Sequence, residues 1–121
     1  MTTAYTETIR ETTPAGHQRA VAFALSQLLS EFPDLPTPHW TISIPQLPDN
    51  RALYGHLQGE HETLEAFRAY VEVLGGEITS CAPYEMYGRK VQVHTLDAQW
   101  KGVRVEVMVI LPASIDVGTA P

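Results

Sequence analysis

The sequence predicts a single α+β domain with the element order α-β-β-α-β-β. Three observations predict it. Two segments carry apolar residues at helical spacing, and four carry the alternation of a strand. The length of 121 residues fits one hydrophobic core.

The elements follow in chain order. Residues 1–12 are polar and Thr-rich without periodicity, which predicts a loose N-terminal arm. Thr13-Pro14 suits an N-cap followed by proline at the first helical position. From Pro14 to about Ser30, the residues Val21, Leu25, Leu28 and Leu29 form a helical stripe. The prolines at 33, 36 and 38 stop that helix, because proline lacks the N–H that continues it. His39 to Ile44 alternates Trp40, Ile42 and Ile44 against His39, Thr41 and Ser43, the pattern of a half-buried strand. Arg51 to Leu57 is a second, weaker strand, and the two pair as an antiparallel hairpin.

Gly59 opens the next helix. Over Glu60 to Leu74 it carries Leu64, Phe67, Val71 and Leu74, and Gly75-Gly76 ends it. Residues 77–89 are ambiguous between loop and irregular strand edge. Lys90 to Leu96 and Gly102 to Leu111 are the clearest strands, with Asp97 to Lys101 as the turn. Residues 112–121 read as a flexible C-terminal tail, so the predicted domain spans 13–111. The simplest assembly is a four-stranded, mainly antiparallel sheet with both helices packed on one face.

Pairing then assigns the sheet faces. Residues directly opposite in an antiparallel ladder point to the same side. Val91, Val93 and Thr95 are expected to share the core face with Val103, Val105, Val107 and Val109. That places His94 on the outer face with Arg104, Glu106 and Met108. From the first hairpin, His39, Thr41, Tyr54 and His56 join them. His39, Tyr54, His56, His94 and Glu106 are therefore the candidate ligand-binding set. Histidine is the commonest metal ligand and the usual acid/base group near neutral pH. No pair of histidines has a tight ligand spacing, so no metal site is assigned and no cofactor is expected.

Composition excludes several function classes. Charged residues make up 18% and hydrophobic residues 44%, which argues against disorder of the whole chain. The net charge is −6, and the eight Lys and Arg residues are scattered. Nucleic-acid binding needs clustered positive charge, so none is expected. The longest apolar run is far short of a membrane span, and the N-terminus lacks the pattern of a secretory signal. With one cysteine, Cys81, no internal disulfide forms. A cytoplasmic protein from a GC-rich bacterial or phage genome is the expectation. The GxGxxG, Walker, HExxH and GxSxG motifs are all absent from the sequence.

Two surfaces suggest contact with a partner. Between Pro14 and Ser30 the only formal charge is Arg19, whereas a solvated helix normally shows more. Ala20, Phe23, Ala24 and Gln27 form a second, semi-apolar face. Trp100 sits at a hairpin tip, and Tyr84 and Tyr87 lie in the ambiguous segment. Phe23, Gln27, Tyr84, Tyr87 and Trp100 are the candidate interaction residues. The favoured expectation is a non-catalytic protein-interaction module that self-associates as a homodimer or binds another protein. The alternative is a small-molecule or metal-binding domain, or a small enzyme, that uses the histidine-bearing sheet face.

Overall fold

The computed structural model describes residues 13–43 and 53–118. The predicted arm at 1–12, the ends of the first hairpin at Ile44 and Arg51, and residues 119–121 lie outside that range. Helix α1 spans Pro14–Glu31, and the Thr13 Oγ1 caps it by accepting from the Gly16 N–H at 2.9 Å. Strands β1 (His39–Ile42) and β2 (Leu53–His56) pair antiparallel, with His39 opposite His56 and Trp40 opposite Gly55. The Trp40 ring lies over Gly55, where an added Cβ would come within 2.7 Å of it. Glycine is thus the residue that lets the indole lie flat on the neighbouring strand.

The second helix starts at Leu64, the first residue of its apolar spacing, and not at the predicted Glu60. A 3₁₀ turn occupies Gly59–His61, and α2 runs Leu64–Leu74 behind a Thr63 cap that accepts from the Ala66 N–H. The ambiguous segment folds as two short strands, β3 (Glu77–Ser80) and β4 (Tyr84–Met86). Strands β5 (Arg89–Trp100) and β6 (Val103–Pro112) form the long central hairpin.

The α+β class is as predicted, but the sheet is larger and mixed. It has six strands in the order β1-β2-β6-β5-β3, with β4 also pairing β5. Four of its five pairings are antiparallel, as expected, but β2 runs parallel to β6 and the sheet has six strands where four are predicted. The physical reason is the α2 crossover. Parallel neighbours need a connection long enough to cross the sheet, and here α2 and the strands after it separate β2 from β6. The longest, most valine-rich strands, β5 and β6, thereby sit in the sheet's interior.

The register of the central hairpin also differs from expectation. The turn is two residues, Lys101-Gly102, both at positive φ (53° and 79°). Such turns match the twist of the flanking strands. A two-residue loop pairs Trp100 with Val103, and hence even-numbered residues of β5 with odd-numbered residues of β6. The expected five-residue turn at Asp97 to Lys101 would have paired odd with odd. The core face of β5 is therefore His94, Leu96 and Ala98, and not Val93 and Thr95, while Val91 is buried outside the main core cluster. On β6 the predicted residues Val105, Val107 and Val109 are fully buried, joined by Leu111.

Both helices contribute to one core on this face, which includes Val21 of α1 and Ala66, Phe67 and Tyr70 of α2. The Tyr70 hydroxyl donates to the Pro36 carbonyl at 2.6 Å, and burial pushes its ionisation well above the usual tyrosine range. Within α1, Ala24 is buried and Leu29 is 45% exposed, the reverse of their predicted faces. The segment after β6 is not a free tail. Ala113 N–H donates to the Lys90 carbonyl, Ile115 packs on the core, and Val117 is buried.

Trp100, expected as an open contact residue, turns inward on α1. Its indole N–H donates to the Ala24 carbonyl at 2.9 Å, and its ring meets Phe32 edge-on at 5.7 Å. Lys101 lies over the same ring and 3.5 Å from the Glu31 carboxylate. The hairpin tip is thus clamped to the C-terminal half of α1. Trp100→Ala is expected to lower the unfolding free energy by about 3 kcal/mol, measured by urea denaturation. A loss below about 0.5 kcal/mol, the range of an ordinary surface change, would show that the tip is not an anchor.

Candidate functional site

The histidine-bearing sheet face divides. His39, Tyr54, His56 and Glu106 lie on the outer face as expected, because His39 pairs with His56 and Tyr54 pairs with Glu106. His56 Nδ1 accepts from the Gln58 side-chain amide at 2.8 Å, and the Tyr54 hydroxyl donates to the Met108 sulfur at 3.0 Å. The Arg104 guanidinium is gripped by Asp97 through two contacts of 2.6 and 3.1 Å. Among the described residues, no group of three or more His, Cys, Asp and Glu side chains is placed to hold a metal ion.

His94 leaves this set. The odd-with-even register turns it to the opposite, helix-covered face, where it is 2% exposed. Its alternation partners supply the sequence signal for this. Read only to residue 96, Val91, Val93 and Thr95 look like the core set. Read on to 100, the odd positions become Asp97 and Gln99, while the even ones are Leu96, Ala98 and Trp100.

Around His94 the fold builds a cavity of about 250 Å³. Ser80 at the end of β3, Gln92 and His94 on β5, and the segment 113–117 line it. Four local features hold these parts. Ser80 pairs with His94 across the β3–β5 ladder. Gln92 is tied down by donating its amide to the Cys81 carbonyl at 2.8 Å. A turn in which the Ile115 N–H reaches the Pro112 carbonyl brings the chain back over the sheet end. Asp116 then accepts from the Gly118 N–H at 2.9 Å.

The His94 ring has one satisfied nitrogen and one orphan. Nδ1 is 2.7 Å from the Ser80 hydroxyl, and Phe67 of α2 packs against the ring at 6.4 Å between centroids. Nε2 is buried with no hydrogen-bond partner among the described residues. Leaving such a group unpaired costs about 1–3 kcal/mol. His17, Trp40 and His56 also carry a buried, unpartnered nitrogen, but only His94 of these lines this cavity. Burial lowers the His94 pKa below the ordinary histidine value, and the Asp116 carboxylate offsets part of that. The imidazole is thus neutral at neutral pH.

A neutral imidazole beside a serine hydroxyl is the pairing that activates a serine nucleophile. That chemistry also needs a group to orient the second ring nitrogen, and none is present among the described residues.

The predicted interaction residues do not converge. Phe23 is 64% exposed on α1, while Gln27 is half-buried. Tyr84 and Tyr87 are 40% and 94% exposed beside the turn that enters β5. Trp100 ends that strand roughly 35 Å away by strand rise. No protein-family model, curated protein or solved structure matches the chain.

The buried imidazole makes stability depend on pH. Its folded pKa lies below the unfolded value near 6.5, so the unfolded chain takes up the proton first as pH falls. The contribution is fully present above about pH 6.5 and is lost as pH falls through the folded pKa. Urea titrations at pH 7.5 and about pH 5 should show wild type losing more stability than His94→Gln. Equal losses would contradict a buried neutral His94.

Proposed function

We propose that this chain is a non-catalytic protein-interaction module that self-associates through the outer side of α1. The observation that carries this is an exposed helix face with almost no charge on an acidic protein. Ala22, Phe23, Ser26, Leu29 and Ser30 are exposed on α1, and Arg19 is the only formal charge between Pro14 and Ser30. Phe23 keeps 64% of its surface in solvent.

Electrostatics favours a second copy at this face. Each chain carries a net charge of −6, so most approaches of two copies bring like charges together. The α1 face brings one formal charge, Arg19, and no carboxylate before Glu31. A two-fold contact there buries Phe23 and Leu29 against the same residues of the partner copy, in the closed symmetry that most homodimers use. Helix α1 is about 27 Å long, and one helix face is small beside the ~800 Å² that each partner of a stable complex buries. The association is correspondingly weak and concentration-dependent.

Tyr87 supports recognition of a different protein at a second surface. It occupies a tight-turn position at φ 52°, where asparagine or glycine is less strained, and its ring is 94% exposed. Among the described residues nothing covers that ring, so contact with another protein is the use its position fits.

Two measurements test these surfaces. Light scattering over a concentration series should give a mass rising from monomer toward dimer for wild type, and a monomer throughout for Phe23→Glu. A wild-type mass that stays at 13.4 kDa up to millimolar protein defeats the dimer. Tyr87→Asn should raise the unfolding free energy by about 1 kcal/mol by relieving the turn. A loss of stability would instead show that the ring serves the fold.

A further inference from the structure

The sheet has two edges, and the fold treats them differently. At one edge β3 carries Glu77 and ends at Ser80, and Cys81-Ala82-Pro83 intervenes before β4 pairs further along β5. A charge and a break of this kind keep an edge from pairing with another chain. At the other edge, β1 is the last strand in the order and pairs with β2 alone. Its residues His39, Trp40, Thr41 and Ile42 include no Asp, Glu, Lys, Arg or Pro. All four pair with β2 in unbroken register, so no bulge twists the strand away. Among the described residues, no backbone group bonds to its outer side.

We propose that β1 pairs antiparallel with β1 of a second copy, so that one sheet continues through the homodimer. The proposal rests on the self-association read from α1 and names a second element that forms the contact. Alternate residues of an antiparallel strand bond to their neighbour, and the residues between them turn N–H and C=O away from it. On β1 those outward groups face no other strand. A two-fold axis beside the edge brings the same groups of the second copy to meet them, donor to acceptor in both directions.

Three observations select a second copy of the chain as the occupant. The first is charge. Each copy carries a net charge of −6, and β1 brings no carboxylate to the contact. The same pairing at β3 would set Glu77 of both copies close together, which is destabilising. The second is position. Helix α1 packs on β1 and β6, and α2 packs on β5 and β6. The weakly charged helix and the unprotected edge are therefore neighbours. The third is extent. The α1 face is small beside the ~800 Å² that each partner of a stable complex buries. The β1 backbone and the exposed His39 and Thr41 side chains add to it.

Amide hydrogen exchange of the full chain over a concentration series tests the pairing, with light scattering on the same samples. The outward amides of β1 should slow in step with the rising mass, while the β3 amides keep their rates. Thr41 is exposed, so Thr41→Lys adds an edge charge without entering the core. It should leave the urea midpoint unchanged and weaken association roughly fivefold, the upper end for a cross-strand charge effect. The β1 protection should move to higher concentration with it. A dimer whose β1 amides exchange as in the monomer overturns the pairing and leaves the α1 contact standing, and so does a dimer that Thr41→Lys leaves unchanged. Protection of β1 that is equal at every concentration means that another part of the same chain covers the edge, and this too overturns the pairing. A chain that stays monomeric overturns both readings. If Thr41→Lys does not fold, the wild-type exchange decides by itself.

Discussion

The two-residue turn at Lys101-Gly102 is the constraint on which the rest of the structure depends. A β-ladder has a side-chain period of two, so a change of one residue in loop length sends every side chain of a strand to the other face. With two loop residues, Leu96 and Ala98 join Val105 and Val107 in the core. Trp100 reaches the tip on the helix side and meets Ala24 and Phe32 of α1. Asp97 and Arg104 fall together on the solvent side and pair. Each of these contacts supports the same register, and a longer turn would break all of them at once.

The same register buries His94, the one buried polar residue among those described. His94 is buried because Leu96 and Ala98, two and four positions on, need to be. The fold accommodates it with Ser80 at one nitrogen and Phe67 against the ring. The segment after β6 then bends back and leaves a space beside it. An imidazole half satisfied next to an accessible cavity differs from an ordinary core histidine, whose polar atoms are matched within the protein. On the outer sheet face Tyr54 is matched to Met108 and Arg104 to Asp97, while His56 is half satisfied, with Nδ1 at Gln58 and Nε2 buried without a partner among the described residues.

The proposed contact surface stands apart from the buried histidine. The α1 face carries no carboxylate between Pro14 and Ser30, which lowers the repulsion between two acidic copies. His94 lies at the β3–β5 end of the sheet, on a different part of the fold.

Local elements and much of the core were legible in the sequence alone. Thr13-Pro14 starts α1, Gly75 ends α2, and Trp40, Ile42, Leu53 and Leu57 pack inward because helix caps and strand alternation act over a few residues. The start of α2 was not, because a 3₁₀ turn intervenes before its Thr63 cap. The sequence also placed His39, Tyr54, His56 and Glu106 on one face. The parallel pairing of β2 with β6 and the packing of Val117 came only with the tertiary structure, and the side to which His94 points was legible only in alternation carried through to Trp100. Those outcomes rest on contacts between residues far apart in the chain and on the parity of one turn. Alternation within a single strand shows that two faces exist, but only the partner strand decides which of them is buried.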